Sequence, residues 1–409
     1  MAGAALDVAV IGCGTAGAAA ALFLARAGHR VSVFERVARP GPVGAGILLQ
    51  PTGQAVLARL GLLDQVRARA APVDRLLCVR RDGGAVVDLD YGELGGGAIA
   101  LGTHRGLLFE VLGAALAAEA RATLRVDCAV ERIAAPVRGR RALVGPGGAD
   151  LGDFDLVAVG GGADGAALLR GHVGARVSHY PWGALWFVAR DPERAFRDRL
   201  HQVVDGARRM VGLLPTGLAP GADTPVVSLF WSARVDRMDQ LRRAGLARWK
   251  EAVLALEPRA APVLAQIGDL DQLLLARYSD VRLRRWHGDG IAALGDAAHA
   301  TSPQLGQGAN LALWDAMVLA DSLAAAATLE AGLAAYSRSR RAHLRYYQLA
   351  TRWLTPLFQS DSRAGGWLRD RLLPLACRFG PTRRLMLETM AGVRRGLLRR
   401  SLAPGDSPP

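Results

Sequence analysis

The chain has 409 residues, 51% hydrophobic and 22% charged, with a formal net charge of +14. That length exceeds a single compact core and points to two domains or one large domain with an insert, while the apolar content excludes a largely disordered chain. No apolar stretch reaches the roughly 18 uncharged residues of a membrane-spanning helix, and no basic segment precedes an apolar run at the start, so neither a transmembrane span nor a secretion signal is expected.

The charge is unevenly spread. Residues 338–400 hold 15 arginines against three acids, Asp361, Asp370 and Glu388, a local balance of +12, and the remaining 36 basic and 34 acidic residues nearly cancel. The four cysteines, Cys13, Cys78, Cys128 and Cys377, are too scattered for a metal or redox pair. They fit small buried side chains in a reducing cytosol, so a cytoplasmic protein with no metal centre is expected.

In chain order, the apolar run 8–11 reads as a strand, 15–27 as an alanine- and leucine-rich helix stopped by Gly28, and 31–34 as a second strand. Strand, helix and strand within about 30 residues form a βαβ unit and imply a parallel sheet. Hairpin strands are expected over 75–89 around Asp82-Gly83-Gly84, a helix over 107–120, a strand pair over 126–137 and 141–144, and a buried strand over 155–159. Residues 178–235 have strand character, followed by a helix over 238–255, a buried strand over 291–294 and a helix over 311–326. From 331 onward the pattern is helical, with breaks expected at Pro356, Gly365-Gly366, Pro374 and Gly380-Pro381.

Gly12-Cys13-Gly14-Thr15-Ala16-Gly17 is GxGxxG between a strand and a helix, and Glu35 ends the next strand 18 positions beyond Gly17. The first glycine makes the tight turn, the second lets a pyrophosphate approach the backbone, and the third lets helix and strand pack closely. Glu35 can accept hydrogen bonds from ribose hydroxyls. By itself the motif does not choose between NAD and FAD.

A second glycine-rich loop makes that choice. Residues 291–316 read IAALGDAAHATSPQLGQGANLALWDA, a strand running into Gly295-Asp296, then a loop, then a helix. The aspartate can bind a ribityl hydroxyl, and the helix after the loop can direct its N-terminus at the electron-rich edge of a reduced flavin.

On these residues the chain resembles the flavoprotein aromatic hydroxylases of the para-hydroxybenzoate hydroxylase fold. The resemblance rests on GxGxxG at 12–17, Asp164-Gly165, Gly295-Asp296-Ala297-Ala298-His299, Pro303, and Gly306-Gln307-Gly308-Ala309-Asn310, in the family's order from about 6 to 330. Gly44-Ala45-Gly46-Ile47, Pro51, Leu60-Gly61-Leu62 and His104-Arg105 also match. Thr52 stands where the family has asparagine, and 163–170 reads ADGAALLR without the usual serine.

The resemblance implies an α/β chain with a Rossmann-like FAD-binding domain, an interleaved antiparallel β-sheet substrate domain and a C-terminal helical segment. The expected parts are 1–72, 101–177 and 276–330 for FAD, 73–100 and 178–275 for substrate, and an arginine-rich 331–409. FAD is then expected on Gly12, Gly14, Thr15, Ala16, Gly17, Glu35, Arg36, Gly46, Arg105, Asp164, Asp296, Pro303, Gly306, Gln307, Gly308, Ala309 and Asn310. The implied reaction is an NADPH- or NADH-driven monooxygenation in which O2 adds to the flavin as a C4a-hydroperoxyflavin and one oxygen passes to a small aromatic, phenolic or quinone-like substrate. That chemistry needs few catalytic side chains. His299 is the one weak catalytic candidate, set against a packed, hydrogen-bonded histidine.

Trp182, Trp186, Phe187, Phe230 and Trp231 are candidates for a pocket wall or for sheet packing, and Arg209 for an anionic substrate or the surface. A flavin reductase saturating an isoprenoid double bond, similar to geranylgeranyl reductases, and a non-catalytic flavin-binding protein are the competing readings. The flavin-dependent halogenases fit poorly, because Lys250 is the only lysine and the tryptophan spacing is wrong. For the tail two readings stand, a helical cap on the body and a peripheral contact at the inner membrane face. Nucleic-acid binding is not expected, since no recognised motif accompanies the charge.

Overall fold

A computed structural model describes residues 5–41 and 44–396, so the last stretch of the arginine-rich tail, with Arg399 and Arg400, lies outside the described residues. Two sheets organise the chain. The strand Asp7–Ile11 runs parallel to Leu156–Val159 on one side and Arg30–Phe34 on the other. Ile291–Ala293 and Ala122–Arg125 extend the parallel sheet outward, and the two-residue strand His287–Gly288 closes one edge antiparallel. The unbroken apolar runs at 8–11 and 156–159 are those of central strands covered on both faces.

On one face the helices Thr15–Arg26 and Gly308–Ala324 pack on each other, beside Arg105–Ala117, in a core of small and branched side chains. The other face is covered by a three-stranded sheet of Arg132–Ile133, Arg141–Val144 and Asp150–Phe154. Here the expected pairing of 126–137 with 141–144 is corrected. Only Arg132–Ile133 pairs with it as a strand; Asp127 takes a positive φ of 51°, which breaks extended backbone, and Val126 lies exposed. The strand Asp150–Phe154 supplies the partner that the sequence reading missed.

The second sheet has nine strands. Its path runs Leu274–Arg282, Arg176–Arg190, Pro225–Arg234, Arg209–Leu218, Asp198–Asp205, Ala71–Arg80, Ala100–His104 and Gly46–Leu49, with Ala85–Asp90 hairpinned onto Ala71–Arg80. The short strands Gly46–Leu49 and Ala100–His104 stitch the segments around the first sheet into the second. The seam between the sheets is therefore where the glycine loops and the second sheet can share a ligand.

The C-terminal segment is three helices, Leu329–Phe358, Arg363–Arg378 and Gly380–Met390. Pro356 and Pro374 lie in the last turns of the first two, which end at Phe358 and Arg378 soon after each proline removes one bond of the ladder, and the expected break at Gly380-Pro381 falls at the junction between the second and third. Gly365-Gly366 falls within a helix as well. A Cβ added at Gly366 would lie 2.8 Å from the backbone nitrogen of Ala207, so a close approach between helix and turn is what glycine serves there. Among the described residues no helix is long and apolar enough to cross a membrane.

Candidate active site

Gly12 follows the first strand with φ +92°, and a Cβ there would come 2.6 Å from Cα of Gly161, beyond the end of the neighbouring strand. At Gly17 a Cβ would lie 1.8 Å from the carbonyl oxygen of Gly12, so the third glycine is demanded by helix and loop packing. Gly14 differs, since an added Cβ meets nothing within 4 Å. The helix Thr15–Arg26 starts from Gly14 with no side-chain cap and no acid in its first turn, leaving its first N–H groups directed at open space. Glu35 reaches over the loop, where its carboxylate accepts from Cys13 N (2.9 Å) and Val37 N (3.0 Å). Arg36 and Asp164 meet as an exposed ion pair at 3.2 Å.

The second loop is built against the first. Gly295 has φ +55°, and its missing Cβ would lie 2.8 Å from the Ala16 methyl. Asp296, next along, is exposed and has no side-chain hydrogen-bond partner among the described residues. Its Oδ1 lies 3.8 Å from where a Gly308 Cβ would stand, and Gly306, with φ +59°, faces open space. A free carboxylate, two bare glycines and an uncapped helix start thus converge on one cleft. That cleft suits a ligand carrying phosphates at one end, hydroxyls in the middle and a flat ring at the other.

Other expected residues hold the loops in place. Asn310 accepts from Gln50 N (2.8 Å) and donates to the carbonyls of Leu48 (3.0 Å) and Gly306 (3.2 Å), stapling the loop to the strand Gly46–Leu49. Gln307 donates to the Met390 carbonyl at 2.5 Å, while its own side-chain oxygen stays buried without a partner. Pro303 is exposed at the loop entrance, and Ala309 is half-buried in the first turn of the following helix. Gly46 opens the last strand of the second sheet, with Ser228 Oγ 2.9 Å from both Gly46 N and Thr216 Oγ1. Arg105 is exposed and lies across Gly44. Its neighbour His104 accepts from Gly106 N at 3.1 Å, and burial holds its pKa down, so the ring stays a neutral acceptor.

His299 is buried, stacked at 5.9 Å on Trp286, with Nε2 2.7 Å from Asp315 Oδ2. It belongs to a cluster that sequence reasoning missed. Asp315 also accepts from Gly295 N (2.8 Å) and from Arg340 Nε (2.6 Å), and Arg340 Nη1 lies 2.5 Å from His343 Nδ1. Burial alone would raise the Asp315 carboxyl, but His299 and Arg340 beside it hold it below the usual carboxylate range. Arg340 thus enters the body from the long C-terminal helix and fixes the Gly295 turn through Asp315. The signal was available in the 3–4 spacing of Leu333, Tyr336, Arg340, His343 and Tyr347, one buried helix face hidden among exposed arginines.

The suggested pocket wall divides between two sides of the second sheet. Trp231 and Phe187 pack toward the helix Met238–Leu254, on the side built into that helix's core. Trp186 and Phe230 pair on the opposite side, 4.9 Å between centroids, packed with Phe358 and Leu373 from the C-terminal helices. Strict side-chain alternation along the strands separates neighbours in sequence onto different faces. Arg209 pairs with Asp205 at a hairpin end, where it is largely exposed.

The C-terminal segment also closes on the loop that carries Gln307. Thr52, the departure from the family pattern, lies 3.3 Å from the Ala391 carbonyl, and Gly392, at φ +84°, leaves no room for a Cβ beside it. Gln359 donates to Gly183 O and Ser232 Oγ, both at 3.1 Å, and accepts from Gln304 at 2.8 Å, tying the loop to the second sheet.

A model of the FAD binding domain matches residues 5–134 and 174–348. A 6-methylpretetramide 4-monooxygenase of Streptomyces rimosus is 31% identical over 77% of this chain and 74% of its own length. A 3-amino-4-hydroxybenzoate 2-monooxygenase of Streptomyces platensis is 30% identical over 91% of this chain and 93% of its own. Among solved structures, a probable FAD-dependent monooxygenase from Pseudomonas aeruginosa, PqsL, superposes with a TM-score of 0.74 at 26% identity, covering 89% of this chain and all of its own.

Proposed function

The chain belongs to the FAD binding domain family of FAD-dependent monooxygenases, and from that premise we propose that it hydroxylates a small aromatic, phenolic or quinone-like substrate with electrons from NADPH or NADH. The observation that carries this reading is the convergence of the loops, with Gly295 packed on Ala16 and the partnerless Asp296 between the fingerprint and the bare glycines at 306 and 308. FAD matches the chemistry of these groups, with backbone donors for its pyrophosphate and a free carboxylate for its ribityl hydroxyls.

In this reading the N–H groups at Thr15, Ala16 and Gly17 hold the pyrophosphate, Glu35 the adenosine ribose and Asp296 the ribityl chain. Arg36 and Arg105 stand at the exposed rim, where their charge meets the phosphates of the flavin or of the incoming nicotinamide nucleotide, and Asp164 holds the Arg36 guanidinium through their ion pair. Gly46, Pro303 and Gly306 to Asn310 frame the ring. FAD, when bound, would supply the redox chemistry, carrying the electrons of NAD(P)H to O2. The protein's own contribution is to orient the ring and exclude water. Asn310 and the Asp315 cluster hold the loop, and the C-terminal helices cover the ring end. The overall balance is substrate-H + O2 + NAD(P)H + H⁺ giving substrate-OH + NAD(P)⁺ + H2O. The amino- and hydroxy-substituted ring in the name of one relative suggests an electron-rich aromatic here. We further propose the division into FAD, substrate and C-terminal parts drawn above.

The test is a panel of amino- and hydroxy-substituted aromatics with FAD-loaded protein, NADPH or NADH, and labelled O2. The expected result is one O2 consumed and one labelled oxygen incorporated per NAD(P)H. Reduced-flavin turnover that saturates a prenyl double bond without O2 would favour the reductase reading, and a flavin never reduced by NADPH or NADH would favour a non-catalytic one.

Asp296→Ala should weaken FAD binding by roughly 1–3 kcal/mol, the cost of an unpaired hydroxyl, and Glu35→Ala should lose a similar amount at the other end. Titration of apoprotein with FAD measures both, and unchanged affinities would remove these two residues from the site.

A further inference from the structure

The helix Arg363–Arg378 packs Leu373 and Cys377 inward yet leaves much apolar surface outside. Its inner face carries Arg369, fully buried, donating to the carbonyls of Gly206 (2.9 Å) and Leu357 (3.1 Å) and paired with Asp370 at 2.7 Å. Its outer face, at spacings of three and four, carries Trp367, Leu368, Leu372 and Leu375, with Phe379 following, at 41% to 63% exposure. A helix on a water-facing body normally places charge outward and apolar groups inward. The preceding helix Leu329–Phe358 also exposes Leu349 and Trp353, one turn apart, with Trp353 at 74% exposure. An exposed apolar patch of this kind marks an interaction surface.

The polar groups on the patch have one sign. Arg371 lies over the Trp367 ring at 4.9 Å from its centroid, and Arg345, Arg363 and Arg378 are exposed on the same two helices. None of these four has an ion pair among the described residues. The acids of the segment are engaged elsewhere: Asp361 with Arg208 and Arg234, Asp370 with Arg369, and Glu388 with Arg384 and Arg394.

We propose that this face docks on an anionic lipid bilayer as a peripheral contact. Tryptophan, phenylalanine and leucine sink into the boundary between headgroups and acyl chains, and the arginines meet lipid phosphates. A second copy of the chain fits less well, because a twofold interface sets a patch against itself and would bring like-charged arginines together. Nucleic acid accounts for the arginines and leaves the leucines unexplained. The contact places the enzyme where apolar aromatic compounds partition.

The experiment uses full-length, FAD-loaded protein and vesicles of phosphatidylcholine with or without phosphatidylglycerol. The protein should sediment with the anionic vesicles, and less so as salt shortens the Debye length below about 10 Å. Arg371→Glu with Arg378→Glu should weaken binding by about tenfold or more, and Trp367→Ser with Leu375→Ser should do likewise. Flavin content and turnover of a water-soluble substrate should be unchanged in both, since these side chains face away from the cleft. Absence of binding to anionic vesicles at low salt overturns the proposal, as does binding that neither double variant weakens. A dimer in solution that both double variants dissociate overturns it in favour of a second copy.

Discussion

Gly14→Val should yield protein that folds normally and purifies without flavin. Gly14 has φ −76° and ψ −171°, extended backbone that a β-branched residue adopts readily, and an added Cβ meets no protein atom within 4 Å. Valine therefore does not strain the fold. Its methyl groups project into the space in front of the uncapped helix start, where the pyrophosphate must come within hydrogen-bond distance of the backbone. Losing that approach should weaken FAD binding by on the order of a hundredfold or more, about 3 kcal/mol. Gly17→Ala supplies the contrast. Its Cβ would stand 1.8 Å from the Gly12 carbonyl oxygen, so that variant should lose stability as well as flavin. Circular dichroism and flavin absorbance separate the two outcomes. A yellow Gly14→Val protein with one FAD per chain would show that the loop does not hold the pyrophosphate.

The second large effect is expected in the buried cluster behind the Gly295 turn. Arg340→Ala removes a guanidinium whose side chain is 1% exposed and leaves Asp315, at 0%, with His299 and the Gly295 N–H as its partners. Breaking a buried charge pair from one side costs about 3–5 kcal/mol, because the remaining charge is uncompensated. Loss of thermal stability should come with weaker FAD binding, since Asp315 positions the turn that carries Asp296. Asp315→Asn combined with Arg340→Met should cost less than the sum of the single changes, because the pair is then removed together. Additive effects would show that Arg340 and Asp315 act independently, and retained FAD affinity in Arg340→Ala would uncouple the cluster from the flavin turn.

Both effects depend on how far each residue could be read from its neighbours in the chain. The GxGxxG loop, Glu35 and the GDAAH segment were legible because each is a local device, a strand end, a turn and a helix start within a few residues. Gly12 and Gly17 then explain themselves by close approach, and the buried runs at 8–11 and 156–159 by their lack of any polar position. The 75–89 hairpin was equally local, signalled by its Asp-Gly-Gly turn.

What the sequence by itself determined was the βαβ start, the two glycine loops and hence the class of ligand, since these follow from local turns in which Gly12, Gly295 and Gly306 take positive φ and from a close approach at Gly17 that only glycine allows. Only the tertiary structure decided that Asn310 and Gln307 brace the loop, that His299 is anchored to Asp315, and that Arg340 and Arg369, among fifteen arginines between 338 and 400, are buried. It also divided Trp231 from Phe230, adjacent in the chain, onto opposite faces of one sheet. The physical reason is common to all of these. A long polar side chain is exposed by default and is buried only where a partner compensates its charge or fills its hydrogen bonds, as Asp315 does for His299 across 16 residues and Leu48 for Asn310 across 262.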